Sequence, residues 1–190
     1  MSSLPALPIE GLFSSDAAVR AVSAADIYGR GLVLAGPVVC AWLANREFSE
    51  LLQRRLVTVG LAVFPNTFAR IRGANGNPRL ARVPPDQDAE EFELHFSTEL
   101  SLDILTTLDL EGGGAIARYL KRFGEGIQQV EYRCSDVDRA AAILKEAFGV
   151  MPVYPETRAG ADGTRINFFL APTEAGGKVL IELYEIAGAE

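Results

Sequence analysis

Gly124-Glu-Gly-Ile-Gln-Gln-Val-Glu-Tyr132 and the following Asp136-Val-Asp-Arg139 decide how this chain folds. Ile127 to Arg133 reads as a strand, with Gln129 and Glu131 on one face and Val130 and Tyr132 on the other, the period of a strand with one buried face. Asp136 then stands as an N-cap before an apolar-periodic run, Val137 to Phe148, which reads as a helix. Ile166 to Leu170 and Val179 to Ile186 read as further strands.

The same plan stands upstream. Leu56-Val-Thr-Val-Gly-Leu-Ala-Val63 alternates, with Val57, Val59, Leu61 and Val63 on one face and Thr58, Gly60 and Ala62 on the other. A short segment, Asn66 to Gly73, leads through Gly- and Pro-rich chain to Pro85. Phe92 to Phe96 and Leu102 to Thr106 then form a hairpin around Ser97–Ser101. A helix from Ala115 to Arg122, ended by Gly124-Glu-Gly126, joins the two halves. Strand, helix and strand meander given twice is an internal duplication. The expectation is an α+β domain over 56–186, built of modules 56–114 and 124–186.

Residues 1–15 read as a loose lead-in rich in Ser, Pro and Gly. Two helices follow, one from Ser15 or Asp16 to Gly29, the other from Val38 to Arg55 with Arg54 and Arg55 in its last turn. Residues 1–55 are thus a helical N-terminal extension whose Trp42, Phe48, Leu51 and Leu52 bury against something.

Composition narrows the function. The 190 residues are 48% apolar, enough for a core, and carry a net charge of −7, which argues against a nucleic-acid surface. With His95 as the single histidine, neither a Cys/His zinc cluster nor a two-histidine metal triad can be built. Cys40 and Cys134 are too few for a disulfide framework. The start lacks the pattern of a signal peptide, and the longest apolar stretch, 31–44, contains Pro37 and is shorter than the about 20 residues a bilayer span needs. These features predict a cytoplasmic protein without a membrane partner.

The strand–helix motifs above, with Arg158-Ala-Gly-Ala-Asp-Gly-Thr-Arg-Ile-Asn-Phe168 and Gly177-Lys-Val-Leu-Ile-Glu-Leu183, resemble methylmalonyl-CoA epimerases of the glyoxalase, or vicinal oxygen chelate, superfamily. The resemblance covers about 56–186 and leaves the first 55 residues unmatched. It implies two βαβββ modules forming a curved mixed sheet with helices outside and a divalent metal in the cup. In that family two histidines, a glutamine or glutamate, and a glutamate hold the metal, and another glutamate removes the proton next to the thioester. Strand by strand, Thr58 stands where the first histidine would be, Asp103 at the second ligand and Gln129 at the second histidine. Glu182 is kept, and Glu93 falls at the catalytic glutamate. A homodimer is the family default.

Alternation supports one concave face independently: Thr58, Glu93, His95, Asp103, Gln129, Glu131 and Glu182 share it, with Glu91 and Glu131 taken alone reading as wet residues of an open sheet. Burying several carboxylates requires compensation. One solution is Mg²⁺ or Mn²⁺ on the oxygen donors Thr58, Asp103, Gln129 and Glu182; the other is no cofactor, with protonated carboxyls or a protonated His95. The expected reaction is proton abstraction next to a carbonyl, possible on an acyl thioester, with Glu93, Glu182 and His95 as the acid–base groups. Gln129, Glu131, Tyr184 and Phe169 would line the substrate cavity. A metal-free binding protein for an antibiotic or metabolite and a metal-independent biosynthetic cyclase or isomerase are the competing readings.

Overall fold

The computed structural model describes residues 6–173 and 176–186. Seven strands form one mixed sheet in the order β2-β3-β1-β4-β7-β6-β5. The strands are β1 (Leu52–Ala62), β2 (Ala89–His95), β3 (Ser101–Thr107), β4 (Gly126–Cys134), β5 (Arg158–Ala159), β6 (Thr164–Pro172) and β7 (Lys178–Ile186). β1 runs parallel to β3 and β4 parallel to β7, while β1 and β4 pair antiparallel at the centre. The two halves are therefore related about the β1–β4 seam, as the duplication predicts. The first half is leaner: where the second carries β5 at its edge, the first has a single bond from the Ala81 amide to the Glu91 carbonyl.

The convex face is covered by helices. Helix α1 (Ala17–Trp42) packs Ala24, Ile27, Ala35, Val39 and Trp42 into the core. Trp42 meets Phe48 and Phe169 edge-on. Helix α3 (Pro65–Ala74) sets Phe68 against Phe92 of β2, and α5 (Val137–Phe148) buries Val137, Ala140, Ile143 and Leu144. Asp136 caps α5, its carboxylate accepting from the Arg139 amide at 2.9 Å. Helix α4 (Ala115–Phe123) packs Ile116 and Leu120 on Ala62 and Leu105, closing one side of the concave face.

The extension departs from expectation. The two expected helices are one, α1, which runs through Gly29, Gly31, Gly36 and Pro37 without a break; a short α2 (Arg46–Leu51) follows. Packing decides this: a Cβ on Gly31 would lie 2.5 Å from Val59 Cγ2, so the glycine lets the helix sit directly on β1. Pro37 falls on the exposed side, where the carbonyl its missing N–H leaves free meets solvent. By length and composition α1 is apolar enough to cross a bilayer, and its inner face is buried on the sheet. Arg54 and Arg55 lie in β1, which starts at Leu52 opposite Cys134. Within the lead-in, residues 1–5 lie outside the described residues; further on, Ile9 and Leu12 are buried and the Leu12 carbonyl accepts from the Asn75 side chain.

Candidate active site

The concave face is a cup of about 850 Å³. Ladder register places most of the expected site residues in two rows across it. One row runs Glu93–Asp103–Gly60–Gln129 over β2, β3, β1 and β4. The other runs His95–Ser101–Thr58–Glu131–Glu182–Phe168 over β2, β3, β1, β4, β7 and β6. A register shift in β4 between Ile127 and Gln129, opposite Leu61 and Gly60, leaves Gln128 as the extra residue, and both glutamines line the cup. Gly60 lets the Gln129 side chain reach from the first row to Glu131 and Glu182 of the second, because a Cβ there would stand 2.5 Å from Gln129 Cγ.

Within the cup, Gln129 donates its amide nitrogen to Glu182 at 2.8 Å and to Glu131 at 3.0 Å. Desolvation, then the neighbouring carboxylates, raises Glu182 and Asp103 well above the carboxylate range. The same causes push Glu131 up to about 8 and Glu91 to about 7. Asp103 is 5% exposed and its Oδ1 has no hydrogen-bond partner; Gln128 Oε1 is likewise buried and unpartnered. Burial pushes the Tyr184 phenol up to about 12.

Glu93 and His95 lie at the rim, their side chains about half exposed. His95 Nε2 is 3.1 Å from Glu93 Oε2, and its Nδ1 is 2.8 Å from Ser101 Oγ. Two loops clasp across the mouth. Asp162 takes Arg79 at 2.6 Å and the Arg82 amide at 3.1 Å, Gln87 donates to the Ala159 carbonyl at 2.9 Å, and Arg158 pairs with Asp86. Asp162, between two guanidinium groups, is held far below its usual range.

One expected lining residue is elsewhere. Phe169 is fully buried on the convex side against Trp42, and it is Phe168 that lines the cup. Alternation carries the signal that separates them, since Ile166 and Phe168 share a face that Asn167 and Phe169 do not. Thr58 is buried in the second row but is not on the cavity wall. Glu91 and Glu131, read as wet residues when taken alone, are both on that wall, Glu131 buried and bonded to Gln129 and Glu91 raised by burial and by the Glu93 charge two residues on. Gly60 and Gln128 carry no side-chain signal that sequence reasoning uses.

Solved structures share this architecture. A methylmalonyl-CoA epimerase from Mycobacterium tuberculosis is 34% identical over 72% of this chain and 88% of its own, with a TM-score of 0.55. The chain belongs to the methylmalonyl-CoA epimerase family of the vicinal oxygen chelate fold. A methylmalonyl-CoA epimerase in complex with methylmalonyl-CoA and NH4+ is 26% identical, covering 74% of this chain and 98% of its own at a TM-score of 0.56. A serine-to-threonine variant of the Streptomyces coelicolor epimerase, in complex with 2-nitronate-propionyl-CoA, is also 26% identical, covering 70% and 94% at 0.56. No family model and no curated protein matches the chain.

The divalent metal implied by the family does not fit this donor set. Among the described residues no three His, Cys, Asp or Glu side chains converge as metal ligands. Gln129, at a ligand position, turns its amide nitrogen rather than its oxygen to the carboxyls on either side. Thr58 and Gln129 stand where the resemblance led the two histidines to be expected, and Thr58 is off the wall.

Proposed function

We propose that this chain is an epimerase or isomerase that removes the proton next to a carbonyl, with an acyl thioester as the substrate class its relatives suggest. The observation that carries the reading is the contrast along one cup. Glu93 is an accessible carboxyl at the rim, while Glu182 is a buried carboxyl whose hold on its proton burial and like-charged neighbours raise well above the ordinary carboxylate range. Carboxyls pushed apart by their surroundings divide the acid and base roles between them.

Glu93 takes the proton from the α-carbon, and the electron pair of the broken C–H bond moves onto the carbonyl oxygen. Return of a proton to carbon, on either face, completes the cycle. His95 holds the Glu93 carboxylate in place and is itself held by Ser101. The Glu182 carboxyl donates to the developing oxyanion, a contribution whose loss costs about 10²–10³ in rate. Gln129 orients Glu182, and Tyr184, Glu131 and Phe168 shape the cavity. A cytoplasmic homodimer that acts on a small molecule, and on neither nucleic acid nor membrane, belongs to the same proposal.

The test is exchange of the α-proton of acyl thioesters in D2O, followed by mass spectrometry. Exchange that disappears in Glu93→Gln supports the reading. A second reading, a binding protein, is favoured by the donor set's misfit to a metal. Tight ligand binding without exchange in any thioester would establish it instead.

A further inference from the structure

We propose that the outward face of α1 docks on α1 of a second copy of this chain, the two helices packing antiparallel across a twofold axis. This names the contact of the homodimer proposed above, and it rests on that reading only for there being a dimer; the chemistry in the cup is separate.

The inner face of α1 is fixed by the sheet, and the outer face is apolar as well. Val22, Asp26, Gly29, Val33, Gly36 and Cys40 follow one another in alternating steps of four and three residues. That is the 3.5-residue repeat of a seam between two interlocking helices. Val22 is 71% exposed and Val33 76% exposed, so the seam is open to solvent. Asp26 is its single charged member, and its carboxylate is held by Arg30 at 2.8 Å, one turn along the same helix.

Gly29 and Gly36 point to a close neighbour. A glycine inside a helix is costly relative to alanine, because it gives up more backbone freedom and packs nothing. At Gly31 the fold supplies the reason, since a Cβ there would lie 2.5 Å from Val59. At Gly29 and Gly36 nothing lies within 4 Å of where a Cβ would stand. Alanine would fit at both and favour the helix, so nothing in this chain's own packing calls for glycine. Seven residues apart on one face, the two leave a shallow track along which a second helix can approach closely.

Charge and shape select a second copy as the occupant. In the antiparallel register that sets Gly29 against Val33 of the second copy, Asp26 falls against Gly36 and Val22 against Cys40. No layer then sets two bulky or two charged side chains together, and the twofold axis repeats each contact on its other side. Parallel packing would instead stack Asp26 on Asp26, which like charges oppose. By composition α1 is also apolar enough for a bilayer. A helix that lies on a lipid surface carries Trp, Phe or Leu on its apolar face and Lys or Arg on its flanks. This face presents Val, Gly, Cys and one acid, on a chain of net charge −7. The seam from Val22 to Cys40 is about 27 Å long at about 1.5 Å per residue, a narrow contact, so the dimer is a reversible one.

Sedimentation velocity of the full-length protein, from micromolar to millimolar concentration, tests this. The expected result is a reversible dimer whose dissociation constant rises by about 10- to 100-fold in Val33→Arg, which buries an unpaired charge at the seam. The melting temperature of the dilute protein should stay unchanged, and Val22→Arg is the second variant. Orientation is read by cysteine pairing: Val22→Cys should form a disulfide-linked dimer with the native Cys40 on oxidation with diamide. That link should vanish when Cys40→Ser is added. A link that persists in the double variant, or a Cys40–Cys40 disulfide in the parent, overturns the antiparallel packing. A dimer that survives both arginine variants keeps the homodimer and overturns this face as its contact. A monomer at every concentration overturns the proposal, as does a monomer that binds phosphatidylcholine vesicles through Val33. A dimer that responds to the variants, in a protein that exchanges no α-proton, upholds the interface and sinks the enolising reading.

Discussion

Glu93 and Asp103 face each other across the β2–β3 ladder, yet the Glu93 side chain is 51% exposed and Asp103 is 5% exposed. One carboxyl is free to exchange protons with solvent and the other is shut away from it. Adjacent strands thus set an accessible carboxyl and a buried one within a single ladder step. Glu93→Gln keeps the shape and removes the basicity, so α-proton exchange should fall by about 10²–10⁴, the usual contribution of a general base. The melting temperature should stay unchanged, because so exposed a side chain contributes little packing. A variant that exchanges at the parent rate would remove Glu93 from the mechanism.

Stability should fall as pH rises through neutrality. Glu91 and Glu131 titrate at about 7 and about 8 in the fold, and their ordinary value is 4.5. The folded chain therefore binds more protons than the unfolded one between those values, and the stability this confers is complete below the unfolded value. It declines with rising pH and is gone once pH passes about 8. Asp103 and Glu182, shifted in the same direction, add to the decline. Thermal melts from pH 5 to 9 test this, with Glu131→Gln expected to flatten the curve. A parent melting temperature independent of pH over that range would contradict the assignment.

Most of this arrangement was written in period-two alternation. Residues such as Glu93, Gln129, Glu131 and Glu182 were readable because a strand with one buried face must send alternate side chains to opposite sides. The extension was harder, since Gly29, Gly31, Gly36 and Pro37 are local helix breakers and what overrides them is tertiary, the seat of Gly31 on Val59. Choosing between Phe168 and Phe169 required the strand's phase, which two adjacent aromatics do not reveal by themselves and which Ile166 and Asn167 before them supply. The role of Gly60 was hidden for another reason, because a missing Cβ matters only once its neighbours are known.

The two phenylalanines of β6 should separate stability from binding. Phe169 is fully buried against Trp42, so Phe169→Ala should cost about 3–5 kcal/mol in chemical denaturation. Phe168 is half-buried on the cup wall and meets Tyr154 edge-on at 5.9 Å. Phe168→Ala should cost distinctly less stability while weakening ligand binding. Equal stability losses, or a larger binding defect in Phe169→Ala, would reverse their assignment to the two faces.

Gly60→Ala tests whether the Gln129 bridge between the two rows matters. The new methyl would stand 2.5 Å from Gln129 Cγ, 3.1 Å from Leu105 Cδ1 and 3.2 Å from Glu131 Oε1. Gln129 is flexible and can swing aside, so the fold should survive with a loss of about 1–3 kcal/mol, typical of overpacking. Swinging aside breaks its hydrogen bonds to Glu131 and Glu182, which leaves two buried carboxyls without their shared donor. Catalysis should therefore suffer as well, with kcat falling by about 10²–10³, the weight of one lost oxyanion donor. Gly60→Ala combined with Gln129→Ala relieves the clash and should recover stability without recovering rate. If the single variant keeps full rate, the bridge made by Gln129 has no part in the chemistry.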